Sequence, residues 1–281
     1  MAPATPPENP LMATPPQPES RPGAGPKEEA GGRMSFFDHL SELRKRLVYS
    51  LIAIGVGAML GFSVAEKMLG WISLPMIHAL QAVHATDKLI YTSPTGVIAL
   101  IIHLGFYLGL VIASPFVFYQ VWLFVAPGLY KHERRAVVTF VASSVGLFLS
   151  GIAFGYFILL PMVLRFLVSF QGPFRPLISI NEYFDLTLLV LIGLGLIFEL
   201  PVLIFFLSVI GVVTPKFLWK NMRYAILVIT IVAAVVTPSP DATTMLIFMA
   251  PMILLYLAGI GVSYLVVRRK RHAAMASTEV H

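Results

Sequence analysis

Not one cysteine occurs in the 281 residues of this chain, and charged residues make up only 12% of it. The first absence excludes disulfide frameworks, thiolate metal sites and a cysteine nucleophile. The second sets the chain apart from soluble domains, in which about a quarter of residues are charged. Hydrophobic residues reach 57%, the balance of a protein whose solvent is largely lipid. Catalytic signatures are missing as well. His39, His78, His84, His103, His132, His272 and His281 show no His-x-x-x-His spacing, and neither Gly-x-Ser-x-Gly nor a phosphate-binding loop occurs. An enzyme, a bound metal and a cofactor are therefore not expected. The net charge of +6 is read through membrane topology and not as a nucleic-acid surface.

The N-terminal stretch 1–33 is polar, holds nine of the 21 prolines and lacks the apolar core of a cleavable signal peptide. It reads as a disordered, partly polyproline-like tail. Ser35 and Asp38 then form a capping signature. Phe36, Leu40, Leu43 and Leu47 recur on one helical stripe, which suits a surface helix leading into the first span. Six apolar stretches follow, predicted to span at about 47–65, 98–124, 136–164, 186–210, 224–236 and 243–267. The fifth, Tyr224–Val236, falls below the roughly 20 residues of a full crossing and also fits a buried or re-entrant segment. Residues 268–281 form a basic tail.

Charge sets the expected orientation. With the N-terminus inside, fourteen Lys and Arg from residue 33 onward fall on the inner side: Arg33, Arg44, Lys45, Arg46, Lys131, Arg134, Arg135, Lys216, Lys220, Arg223 and residues 268–271. Only Lys67, Lys88, Arg165 and Arg175 fall outside. This bias places both termini in the cytoplasm, which requires an even number of spans and keeps the fifth stretch as a crossing. The outer segments 66–97 and 170–185 are long enough for a structured cap, whereas Thr237-Pro238-Ser239-Pro240-Asp241 is a tight turn. No internal repeat is visible.

Carboxylates in costly or addressable places carry the remaining information. Glu199 lies inside the fourth apolar stretch, where a charge costs at least about 2.5 kcal/mol on insertion scales. It reads either as a glutamate satisfied inside the bundle, near the carbonyl of Ile197 that Pro201 leaves free, or as a polar dock for a partner helix. Glu42 precedes Arg46 by one turn and fits an intrahelical ion pair worth about 0.3–0.5 kcal/mol. Glu133 suits the dipole at the start of the third span. Taken together, the two acids lie on the inner side among basic residues, where a ligand with adjacent arginines would bridge them by charge-assisted bonds.

Two runs carry a family resemblance: Phe37-Asp38-His39-Leu40-Ser41-Glu42-Leu43-Arg44-Lys45-Arg46-Leu47, and Tyr119 through Arg135, with Trp122-Leu123-Phe124-Val125-Ala126-Pro127-Gly128-Leu129-Tyr130 at its centre. Phe154-Gly155-Tyr156-Phe157, Phe198-Glu199-Leu200-Pro201 and the outer turn at 237–241 add to it. From about residue 34 to about residue 267, in order, the chain resembles TatC proteins. The resemblance implies an all-α fold of six transmembrane helices in a curved bundle with a periplasmic cap, in the bacterial inner membrane. It also implies a receptor that binds twin-arginine signal peptides of folded precursors and organises TatA-type and TatB-type single-span partners, as a homo-oligomer, for transport driven by the proton-motive force. By motif position, Glu42, Glu133, Phe124, Leu43, Arg44, Tyr130 and Arg135 correspond to the signal-peptide site. Glu199 and Asp241 correspond to the partner-helix contact. Met245 stands where many members carry a polar residue. The rival readings are a proton-coupled small-solute transporter using Glu199, which would need repeat symmetry and a solvated midplane, and a membrane scaffold without a ligand.

Overall fold

The computed structural model describes residues 36–82, 89–125, 134–169, 178–237 and 241–278. Contacts divide the chain into two units, residues 1–40 and 41–281. The described part of the first is the opening of α1, with Phe37 and Leu40 exposed. The second unit carries everything below. The expected N-terminal tail lies outside the described residues.

The described residues are almost entirely helical. α1 runs Phe36–Ala82, α2 Gly96–Val125 and α3 Arg134–Phe154, continued by a π-helical turn Gly155–Leu159 into α4, Leu160–Ser169. α5 (Ile180–Ile197), α6 (Leu200–Ile210), α7 (Pro215–Lys220), α8 (Met222–Val236) and α9 (Ala242–Thr278) follow. Five helical stretches are long and apolar enough to cross a membrane, and α8 is a sixth, shorter apolar helix. At 15 residues, α8 is about 22 Å long, less than the ~30 Å of a hydrocarbon core.

Three departures from the sequence reading have local causes. The helix of the first span does not end at residue 65 but continues to Ala82, through Pro75. Ile72, Met76, Ala79 and Leu80 all lie in the core, and their i, i+4, i+7, i+8 spacing gives this extension a buried face. Pro75 cannot donate to the carbonyl of Trp71. The Tyr156 hydroxyl donates to that oxygen at 2.6 Å, and the Tyr183 hydroxyl donates to Ile72 O at 2.6 Å, so the helix passes the proline with its carbonyls satisfied. At Pro115 of α2 the freed carbonyl is that of Val111, which accepts from Ser114 Oγ at 2.7 Å.

The second departure is the fourth span, which is two helices. Pro201 removes the donor to Ile197, and Phe198–Glu199 form a tight turn in which Glu199 N donates to Leu196 O at 3.1 Å. The third is the π-helical turn before Pro161, where Leu160 N donates to Gly155 O, five residues back. The two long connections expected to form a cap are joined by a parallel bridge: Ile90 N donates to Ile178 O at 3.1 Å and Ile180 N to Ile90 O at 2.8 Å.

Close helix crossings come from small residues. Gly57 and Gly61 of α1 face Gly105 and Gly109 of α2 so tightly that a Cβ on Gly61 would meet Gly105 O, and one on Gly109 would meet the Ala58 backbone. Ser208 on α6 and Ser263 on α9 are hydrogen-bonded at 2.7 Å in the interior.

Candidate functional site

The site grows from one stretch of α2, Gln120 to Phe124, which reaches neighbours on both sides. Gln120 is an amide in an apolar span, only 4% exposed. A buried amide needs a partner, and Arg46 of α1 supplies one: Arg46 NH1 donates to Gln120 Oε1 at 3.2 Å. The same guanidinium donates through NH2 to Glu42 Oε1 at 3.1 Å, one helical turn earlier. The intrahelical ion pair expected at Glu42 is therefore present, and it extends across to α2. It does not exhaust the carboxylate, because among the described residues Glu42 Oε2 is buried and has no partner, and Arg46 Nε is likewise buried and unpaired. Leu43 and Arg44 flank this cluster and are exposed, and Phe124, one turn beyond Gln120, is half-buried.

Trp122 faces a different direction. Its indole Nε1 donates to Ser144 Oγ of α3 at 2.9 Å. The ring stacks on Phe140 at 4.9 Å and meets Phe206 edge-on at 5.2 Å. Ser144 is fully buried and lines, with Trp122 and Glu199, one cleft. Glu199 sits in the turn between α5 and α6 and borders an open apolar cleft of about 370 Å³, lined also by Ser114, Val117, Phe118, Trp122 and Leu203. Among the described residues its Oε1 is buried without a partner. A carboxyl in such surroundings is costly unless a further donor reaches it. The carboxyl thus lies at the edge of the cleft with one oxygen buried.

Asp241 starts α9. Its Oδ1 accepts from Thr244 N at 2.7 Å and its Oδ2 from Thr244 Oγ1 at 2.7 Å, an N-cap in which both carboxylate oxygens are engaged. Met245 is half-buried and packs against the cluster containing Phe248 and Met252. Glu133 and Tyr130 lie outside the described residues, and of Arg135 only the backbone, in α3, is described. Among the described residues no group of three or more His, Asp or Glu side chains could hold a metal ion.

Gln120, Trp122 and Ser144 were not singled out by sequence reading. Gln120 had a signal, being the one amide in that apolar run, one turn before Phe124. Ser144 had none, since a serine in a span ordinarily bonds its own helix.

Long apolar helices, a polar cluster joining α1 to α2 and a carboxyl within a span define a multi-pass helical membrane protein with polar contact sites. The family model described as Sec-independent protein translocase protein (TatC) matches residues 38–251. A Sec-independent protein translocase protein TatC of Koribacter versatilis is 46% identical over 255 residues, 90% of this chain and 94% of that protein. One from Aquifex aeolicus is 33% identical over 246 residues, 86% of this chain and all of that protein. A crystal structure of the twin arginine translocase receptor TatC superposes with a TM-score of 0.73 at 33% identity, covering 82% of this chain and 99% of that one. The chain belongs to the TatC family, and as such is a multi-pass membrane component of a protein translocase and not an enzyme.

Proposed function

We propose that this chain is the signal-reading subunit of its translocase: it binds twin-arginine signal peptides at the inner membrane surface and offers the cleft beside Glu199 to single-span TatA-type and TatB-type partners. The observation that carries the reading is the second oxygen of Glu42, buried and unpaired beside the Arg46–Gln120 bond. A guanidinium from a peptide would bond Oε2 while Arg46 keeps Oε1, and Glu133 would take the adjacent arginine. Lysine presents a point charge and not a planar fork, and would fit the two acids poorly. The apolar part of the peptide would then lie along α2 toward the Glu199 cleft. Both termini are placed in the cytoplasm on the charge bias, which puts Glu42 on the side where precursors arrive. Residues 34–267 form the transmembrane domain in this reading, with homo-oligomers inside the assembled complex.

The test is binding of an Arg-Arg signal peptide and its Lys-Lys twin to the protein in nanodiscs. Arg-Arg should be preferred, and Glu42→Gln or Glu133→Gln should each weaken it about 10- to 100-fold, the worth of a charge-assisted hydrogen bond. Equal binding of both peptides, indifferent to both substitutions, would refute the assignment.

A further inference from the structure

At the end of the bundle where α1 finishes and α2 begins, His103 of α2 and Asp185 of α5 meet at 3.4 Å from Nδ1 to Oδ1. The side chains are 57% and 63% exposed. An exposed acid–base pair on two membrane-spanning helices is unusual unless something polar covers it. Its depth says what the surroundings are. α2 has 30 residues and the stretch containing Asp185 has 31, about 45 Å each, against a hydrocarbon core of about 30 Å. His103 is eighth from the start of α2, and Asp185 sixth from the start of its stretch. The pair therefore lies where lipid headgroups give way to acyl chains.

Directly deeper between the same two helices is an apolar groove of about 260 Å³. Tyr107 and Val111 line it from α2, and Leu188 and Ile192 from α5. They follow His103 by four and eight residues and Asp185 by three and seven, spacings that keep them on the pair's side of each helix. The groove so begins about 5 Å below the pair and reaches about 12 Å below it. Trp71 of α1 and Tyr156 of the π-helical turn close it, stacked with ring centroids 4.2 Å apart.

We propose that this juxtaposition is a specific site for a phosphatidylethanolamine molecule, with its ammonium on His103 and Asp185 and an acyl chain in the groove. The chemistry of the pair selects the headgroup. The Asp185 carboxylate offers only acceptors, and its Oδ1 stands 3.4 Å from His103 Nδ1. The exposed pair therefore presents the imidazole and the second carboxylate oxygen, Oδ2 of Asp185, to a headgroup. A primary ammonium donates to both. A choline headgroup has no N–H to donate, and a phosphatidylglycerol headgroup brings a net negative charge toward a carboxylate. Glu182, exposed one turn before Asp185, adds to the bias against anions.

Trp71 lines the groove, so it is a built-in reporter. The full-length chain with Trp219→Phe would be placed in nanodiscs containing small fractions of brominated phosphatidylethanolamine, phosphatidylcholine or phosphatidylglycerol. The same chain with Trp71→Phe added gives the signal not due to Trp71. The ethanolamine lipid should quench Trp71 at about threefold lower mole fraction than the other two, as expected for a partly exposed charged contact. Asp185→Asn should remove that preference while quenching by phosphatidylcholine stays unchanged. Equal quenching by the three lipids would show ordinary bulk lipid at the groove and overturn the proposal. So would a preference for phosphatidylglycerol, or an ethanolamine preference that survives Asp185→Asn. The lipid comparison needs no change to the pair, so it decides even if Asp185→Asn folds poorly.

Discussion

Trp122 on α2 and Ser144 on α3 are joined by a 2.9 Å hydrogen bond, and both line the cleft that Glu199 borders. One buried hydroxyl thus accepts from an indole and ties α2 to α3 at the wall of that cleft. Ser144→Ala removes this bond and takes the acceptor from the buried indole N–H, at a cost of about 1–3 kcal/mol. Ser144→Thr keeps the hydroxyl and should retain most of the stability. Thermal unfolding in detergent of the two variants checks this: equal losses would mean that packing around the side chain and not the hydroxyl matters.

Glu199→Ala should leave arginine-dependent peptide binding near the wild-type level and weaken association with single-span partners. Both would be read on the same preparation, by peptide titration and by co-purification. A variant that folds normally and loses both equally would show that the Glu42 and Glu199 regions do not divide the work.

Tyr156 and Pro75 form a testable pair. The Tyr156 hydroxyl serves the Trp71 carbonyl that Pro75 leaves without a donor. Tyr156→Phe should cost about 1 kcal/mol. In a Pro75→Ala background, where the new N–H can bond Trp71 O, the same substitution should cost clearly less. The readout is a double-mutant cycle on unfolding. An additive result would mean that the hydroxyl is not compensating for the proline.

Asp241 engages both carboxylate oxygens in capping α9. Asp241→Ala should destabilise by about 0.5–2 kcal/mol, and Asp241→Ser, another capping residue, should recover most of that. If protein export in cells is also restored by Asp241→Ser, the residue acts through the start of α9. If stability returns and export does not, its charge has a direct part in partner contact.

Local composition alone determined that this chain is a membrane protein of apolar helices. A run of 20 apolar residues needs no distant partner to be read, because lipid obliges the backbone to satisfy itself within the segment. Pro201 after Glu199 foretold trouble in the fourth span, and the Glu42–Arg46 pair follows from one-turn spacing. The turn at 237–241 was legible from its two prolines, whereas the cap that Asp241 makes on Thr244 came from the structure. What lay beyond the sequence depends on side chains meeting across helices. The continuation of α1 past residue 65 and through Pro75 rests on the hydroxyls of Tyr156 and Tyr183, far along the chain. Arg46 finds Gln120 at a separation of 74 residues, and the Ser144 and Trp122 pairing and that of His103 with Asp185 are equally non-local. Periodicity specifies which face of a helix is apolar; only packing decides which polar group on the neighbouring helix stands opposite it.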